Sequence, residues 1–216
     1  MGDPPPPLDP ATTPFNLTDV DRQVLSQTDD EFVYHDWADL KQIIASNSLE
    51  VFRRKPSDLI RYIAWTRDIK AQYGSITNYI CQERLHWQFG GTDPATHCRN
   101  AIPFADPNDY KILRNDWPYG VTPDVTHLVV WLKNSIPVNA ENGDMTDESR
   151  ALIDNFVSKT FTKRLEGMFP DAKDRVLWFK NWTALQSVRS VEHIHVLVRD
   201  VPDDIIFEWT GDPAKH

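Results

Sequence analysis

The hydrophobic pattern of this chain changes period halfway along its length. Residues 36 to 48, "DWADLKQIIASNS", put Trp37, Leu40, Ile43 and Ile44 on one stripe at helical spacing, with Asp36 as N-cap. The longest helical pattern is "KPSDLIRYIAWTRDIKAQYGSITNYICQERLHW". In it Leu59, Ile60, Ile63 and Ile69 keep the spacing, Ser57 can cap, and Gly74 divides the run in two. Before these, "LTDVDRQVLSQTDDEF" carries cap-like Thr and Asp residues and predicts short helical turns. Residues 88 to 108, rich in Gly, Pro, Asn and Asp, read as loop.

From residue 109 onward short apolar runs replace the helical stripe. "YKILRN" predicts a strand ending in the turn "NDWPYG", and "THLVVWLK" predicts a buried strand. After the loop "NAENGD", "MTDESRALIDNFVSKTFTKRLEGMF" is amphipathic, with Thr146 as cap, Ser149 three residues later, and Gly167 at its end. "RVLWFKN" and "VEHIHVLVRD" are the last two strands. A helical half followed by strand, strand, helix, strand, strand predicts an α+β fold with an antiparallel sheet. The short link between the final strands favours antiparallel neighbours over a crossover. The expected organisation is a proline-rich arm over residues 1–30 and one α+β domain over 31–216. Within it, 31–108 is the helical part and 109–200 the sheet part.

Composition narrows the function classes. The chain has 216 residues, 40% of them hydrophobic, enough for a real core. Eight tryptophans exceed what a core of this size needs, so some should line a cleft. A net charge of −9 argues against general nucleic-acid binding, although Arg53-Arg54-Lys55 is a local basic cluster and Lys159, Lys163 and Arg164 a second. The two cysteines, Cys81 and Cys98, form no metal or redox motif, and no signal or membrane-spanning run is visible. The expectation is a reduced cytoplasmic protein with no membrane association.

The candidate chemistry lies in "SVEHIHVLVRD". Side chains alternate along a strand, so His193, His195 and Leu197 share one face while Ile194, Val196 and Val198 share the other. The aliphatic face belongs to the core; the histidine face is expected to meet water, a partner or a ligand. Asn181 ends the preceding strand, where its amide can reach that face. Imidazoles move protons near neutral pH. His127, at the start of a neighbouring strand, is the candidate third ligand for a metal, but no carboxylate-rich helix supports one, and no metal or cofactor is expected.

"ILRNDWPYGVTPDVTHLVVWLK", a helix, "RVLWFKN" and "SVEHIHVLV" resemble, over about residues 109 to 199, the element order of histidine-triad (HIT) proteins. That resemblance implies a histidine that attacks phosphorus at His195, an orienting histidine at His193 and the family amide at Asn181. Leu197 stands where those proteins carry their third histidine.

A second resemblance is more specific. From about Phe32 to Val198, "FVYHDWADLKQII", the long helical string, "NDWPYG", "THLVVWLK" and "WFKNWTALQSVRSVEHIHVLV" are similar to a fungal family labelled N-acetylglucosamine-induced protein-like, a domain of unknown function. The resemblance implies an arginine-containing cyclodipeptide synthase of fungal secondary metabolism, with arginyl-tRNA and a second aminoacyl-tRNA as partners. An aminoacyl ester is already activated, so no ATP site is required, and no phosphate-binding glycine motif is present. The reaction needs a base, for which His193 or His195 serves, and oxyanion donors, for which Asn181, Ser187 and Tyr119 are candidates. A guanidinium pocket needs carboxylates and aromatic faces: Asp116 beside Trp117, Glu83 near Trp87, and Glu192. Arg53, Arg54 and Lys55 are the expected tRNA contacts. Ser75 after Gly74 is either an acyl-carrying nucleophile or a capping hydroxyl at a bend. Two other readings stay open: a HIT-like nucleotide hydrolase or nucleotidyl transferase, and a non-catalytic module that binds a sugar or nucleotide.

Overall fold

Four strands, β1 (Tyr110–Arg114), β2 (Val125–Leu132), β3 (Val176–Phe179) and β4 (Glu192–Arg199), form one antiparallel sheet in the order β1-β2-β4-β3. The computed structural model describes residues 17–89, 92–139, 144–182 and 185–213. The proline-rich residues 1–14 and most of "NAENGD" lie outside them.

All four expected strands form, and the α+β class holds. The final pair, β3 and β4, are antiparallel neighbours. Register settles which side chains share a face. His193 lies opposite Trp131, His195 opposite Val129 and Phe179, and Leu197 opposite His127 and Leu177. Directly opposed residues project to the same side, so one face gathers the three histidines with Val129, Trp131 and Phe179. The other gathers Leu128, Val130, Val176, Ile194, Val196 and Val198.

The aliphatic face packs against α5 (Asp147–Val157), its π-helical continuation Ser158–Thr162, α6 (Lys163–Glu166) and α7 (Asp203–Thr210), through Ile153, Phe156, Phe161, Leu165 and Ile206. The histidine face is also covered. The helical half lies over it: α2 (Trp37–Ala45) brings Trp37 and Leu40 to Phe179 and Leu197. Helix α4 (Ile76–Tyr79) and the π turn Ile80–Leu85 bring Ile80, Cys81 and Leu85 to Leu113, Val129 and Trp131. The sheet is therefore the middle of three layers.

Helix α3 (Pro56–Tyr73) ends at Gly74, whose φ of 78° supplies the left-handed cap the sequence called for. Its start differs from expectation. Pro56 opens the helix after Lys55, and the Ser57 amide donates to the Asp29 carboxylate at 2.9 Å, so Asp29 caps from a distance where Ser57 was expected to. Helix α1 (Asp19–Leu25), inside the stretch read as an arm, buries Val24 against Leu59, Tyr62 and Ile63 of α3. Asp36 and Thr146 cap α2 and α5 as their spacing predicts.

Candidate active site

The helical layer does not close completely over the histidine face. A cavity of about 90 Å³ remains. Of the residues singled out from the sequence, Arg54, Asp116, Trp117, Tyr119, Asn181, Ser187, His193 and His195 line it, though they come from five separate segments of chain. Trp65 and Trp131 line it too, so the surplus tryptophans do reach a cleft.

The turn "NDWPYG" delivers three of these residues because it is clasped from both sides. The His35 amide donates to the Gly120 carbonyl at 3.0 Å, Thr122 donates back to the His35 carbonyl at 3.0 Å, and the Gly120 amide donates to the Arg53 carbonyl at 2.8 Å. The clasp sets Tyr119 against Arg54, whose guanidinium lies 4.2 Å from the Tyr62 ring and 5.3 Å from the Tyr119 ring.

His193 is 5% exposed and His195 6%, so both rings are buried, yet they differ in what their nitrogens do. His193 Nδ1 lies 3.0 Å from the Val191 carbonyl. A carbonyl only accepts, so Nδ1 carries the proton and Nε2 holds a lone pair. Among the described residues Nε2 has no hydrogen-bond partner, and it is not among the sealed polar atoms, so it opens to the cavity. Trp131 packs on the ring at 4.6 Å and fixes its plane.

His195 is engaged at both nitrogens: Nδ1 lies 2.9 Å from His127 Nε2, and Nε2 lies 3.2 Å from the Asn181 amide. His127 Nδ1 accepts from the Tyr119 backbone amide at 3.4 Å, which puts the His127 proton on Nε2, pointing at His195. His195 then carries its proton on Nε2, facing Asn181. The amide satisfies that proton when its carbonyl oxygen faces the ring, and in the opposite orientation that oxygen is buried with no partner. Tyr119 Oη, 3.1 Å from the Asn181 amide, completes the chain.

All three imidazoles are neutral at pH 7. Burial pushes the His127 pKa down to about 3, helped by the Arg54 charge. Burial lowers His193, and burial with the neighbouring His127 holds His195 well below its usual value.

The HIT resemblance assigned attack to His195 and orientation to His193. In the structure His195 has no free nitrogen, whereas His193 has one facing the cavity. His127, the cross-strand partner of Leu197, adds a third imidazole to the same face. Strand alternation within one segment could not show this, because the signal lies in the pairing of β2 with β4. Among the described residues no cluster of three or more His, Cys, Asp or Glu is placed to hold a metal.

Several expected site residues lie elsewhere. Ser75 is the N-cap of α4, its hydroxyl accepting from the Asn78 amide at 3.0 Å, which is the capping role and not that of an acyl carrier. Glu83 is exposed on the outer side of the π turn. Trp87 packs on Phe89 and holds the Lys133 ammonium 5.3 Å from its ring. Glu192 is paired with Lys180 at 3.1 Å and accepts from the Ile136 amide. The basic trio splits: Lys55 pairs with Asp29, Arg53 lies over Phe32, and only Arg54 reaches the cavity.

Asp116 does line the cavity, but it is held by Arg84, whose Nε donates to it at 2.9 Å. Arg84 also donates two bonds to Asp212, while Arg114 bonds Asp203 and Asp212. The π turn, in which one extra residue enters the helix, aims Arg84 inward. Of these groups Arg84, Arg114 and Asp116 line the cavity, while Asp203 and Asp212 hold the two arginines from behind. Among the described residues no helix is long and apolar enough to cross a membrane.

Known proteins resemble this chain. The chain is 36% identical over 185 residues to N-acetylglucosamine-induced protein 1 of Candida albicans, covering 80% of this chain and 71% of that protein. It is 28% identical over 162 residues to the uncharacterized protein YPL067C of Saccharomyces cerevisiae, covering 75% and 77%. The crystal structure of HTC1 superposes with a TM-score of 0.60 at 27% identity, over 78% of this chain and 86% of that one. The chain belongs to the family described as "Protein of unknown function (DUF3605)", which matches residues 36–199 and so takes in the sheet, the histidines and the helical layer that encloses them.

Proposed function

We propose that this protein is an arginine-containing cyclodipeptide synthase, an enzyme that closes two aminoacyl groups delivered on tRNA into a cyclic dipeptide. The observation that carries this reading is His193 Nε2, a neutral lone pair on a fixed ring opening into a cavity. The α-amine of one aminoacyl ester must lose a proton to attack the carbonyl of the other. His193 Nε2 takes that proton. The carbonyl carbon gains the C–N bond, its oxygen becomes the oxyanion, and the C–O bond to the tRNA ribose then breaks as His193 returns the proton to the ribose hydroxyl. The same exchange closes the ring. Tyr119 and Ser187, which line the same cavity, are the candidate donors for the oxyanion, and no ATP is consumed.

Support for the arginine side chain comes from Asp116 beside Trp117 on the cavity wall, a carboxylate next to an aromatic face, the two surfaces with which a substrate guanidinium pairs. Support for the tRNA comes from Arg54 at the other side of the same cavity. The reading puts the protein in the cytoplasm with charged tRNA and assigns its product to fungal secondary metabolism.

The test is reconstitution. Purified protein with arginine, a second amino acid, tRNA and the matching synthetases yields an arginine-bearing cyclic dipeptide by mass spectrometry, and RNase abolishes it. His193→Gln lowers the rate by about 10²-fold or more, the usual worth of a general base. Product that survives RNase and needs only ATP would overturn the tRNA dependence.

A second reading rests on the same open nitrogen beside Arg54. An imidazole lone pair next to a guanidinium also suits attack on a phosphate ester, as in a HIT-like nucleotidyl transferase. It predicts a nucleotide trapped on His193 in acid-quenched samples, and none on His195.

A further inference from the structure

The cavity contains one charge that the protein does not balance. Arg84 and Arg114, both on its wall, are held by aspartates. The three histidines are neutral. Arg54 is half-buried, and among the described residues no carboxylate lies within ion-pair distance of it. Its Nε donates to the Trp117 carbonyl at 3.2 Å, and the two tyrosine rings bracket its plane. That leaves Nη1 and Nη2 without hydrogen-bond partners among the described residues, on a group whose orientation is already fixed.

We propose that Arg54 is the recognition point for a phosphate group of the substrate, bound through the two Nη atoms as a bidentate pair. A half-buried guanidinium without a counter-charge is costly, and an oxyanion that supplies two parallel acceptors removes that cost. Restraint by Tyr62 and Tyr119 means little side-chain freedom is lost on binding. Aromatic residues near Arg54, Trp65 and Trp117 with ring centroids 5.3 Å apart and planes tilted at 47°, give a neighbouring base a surface to lie on. This deepens the proposed function, for which the phosphate is that of the tRNA 3′-terminal nucleotide, but binding itself does not require that any acyl group be transferred.

Calorimetric titration of the full-length protein with inorganic phosphate, adenosine 5′-monophosphate and adenosine is the test. The monophosphate binds, phosphate competes with it, and adenosine binds at least tenfold more weakly. Arg54→Met weakens the monophosphate tenfold or more. Arg54→Lys, which keeps the charge and guards against a folding defect, gives an intermediate loss because the bidentate geometry is gone. Arg67→Met, the same change on the exposed side of α3, leaves the affinity within about twofold. Equal affinity of Arg54→Lys, Arg54→Met and the parent for the monophosphate overturns the proposal, as does adenosine binding as tightly as the monophosphate. Dipeptide formation without phosphate recognition sinks this inference alone; phosphate recognition without dipeptide sinks the synthase reading alone.

Discussion

His193 and His195 are two residues apart on one strand, yet tertiary context gives them different work. One is left with an open lone pair by a backbone carbonyl; the other is locked between His127 and Asn181. Burial alone would make both neutral, so the distinction rests on hydrogen-bond geometry and not on acidity. Asp109 shows the same logic in a structural role. It is 1% exposed, and its carboxylate accepts from the Arg99 and Asn100 amides at 2.8 to 2.9 Å. Asp109→Ala leaves those amides unpaired beside a cavity and lowers the unfolding free energy by about 3 kcal/mol, measured by urea denaturation. The candidate chemistry at 193 and 195 was legible in the sequence because histidine in an apolar strand is conspicuous. His127 was legible only as a lone residue, and Arg84 was not legible as the partner of Asp116, because neither cross-strand register nor a π turn is written in local spacing.

The elements themselves follow the sequence closely where capping and periodicity agree. Asp36, Thr146 and Gly74 do what their types predict, since each satisfies backbone groups within four residues of itself. Caps supplied over longer distances were missed, as with Asp29 at the start of α3. The turn at Gly120 is the element on which the cavity most depends. A Cβ at Gly120 would lie 2.4 Å from two atoms of the Phe32 ring, so only glycine permits this approach. Gly120→Ala displaces Phe32 or the turn, at a cost of about 2 kcal/mol, the usual range for overpacking. Because Tyr119 is adjacent, the same substitution weakens adenosine monophosphate binding. Thermal denaturation and ligand titration of this variant check both expectations.

For the whole molecule, three buried neutral histidines make stability depend on pH. Their folded-state pKa values lie below the ordinary 6.5, that of His127 at about 3, so the unfolded chain binds more protons between those limits. Stability is therefore full above about pH 6.5 and falls as the pH drops, by up to roughly 1.4 kcal/mol per pH unit for each histidine. Urea midpoints measured from pH 8 to pH 5 should decline, and His127→Gln should decline less steeply than the parent. A parent protein as stable at pH 5 as at pH 8 would mean that solvent reaches these rings.

By itself the sequence determined the α+β class, the four strands, the caps at Asp36 and Thr146, the break at Gly74 and the pair of histidines on one strand face, because each depends on side-chain periodicity or on capping within a few residues. Only the tertiary structure decided that the helical half covers that face and that His127 completes the histidine set. It also decided that Arg54 enters the cavity while Arg53 and Lys55 do not, and that Arg84 holds Asp116. Those outcomes depend on residues 32 to 68 positions apart meeting in space. No local pattern encodes which distant partner fills the space opposite a given side chain; packing the two layers together does.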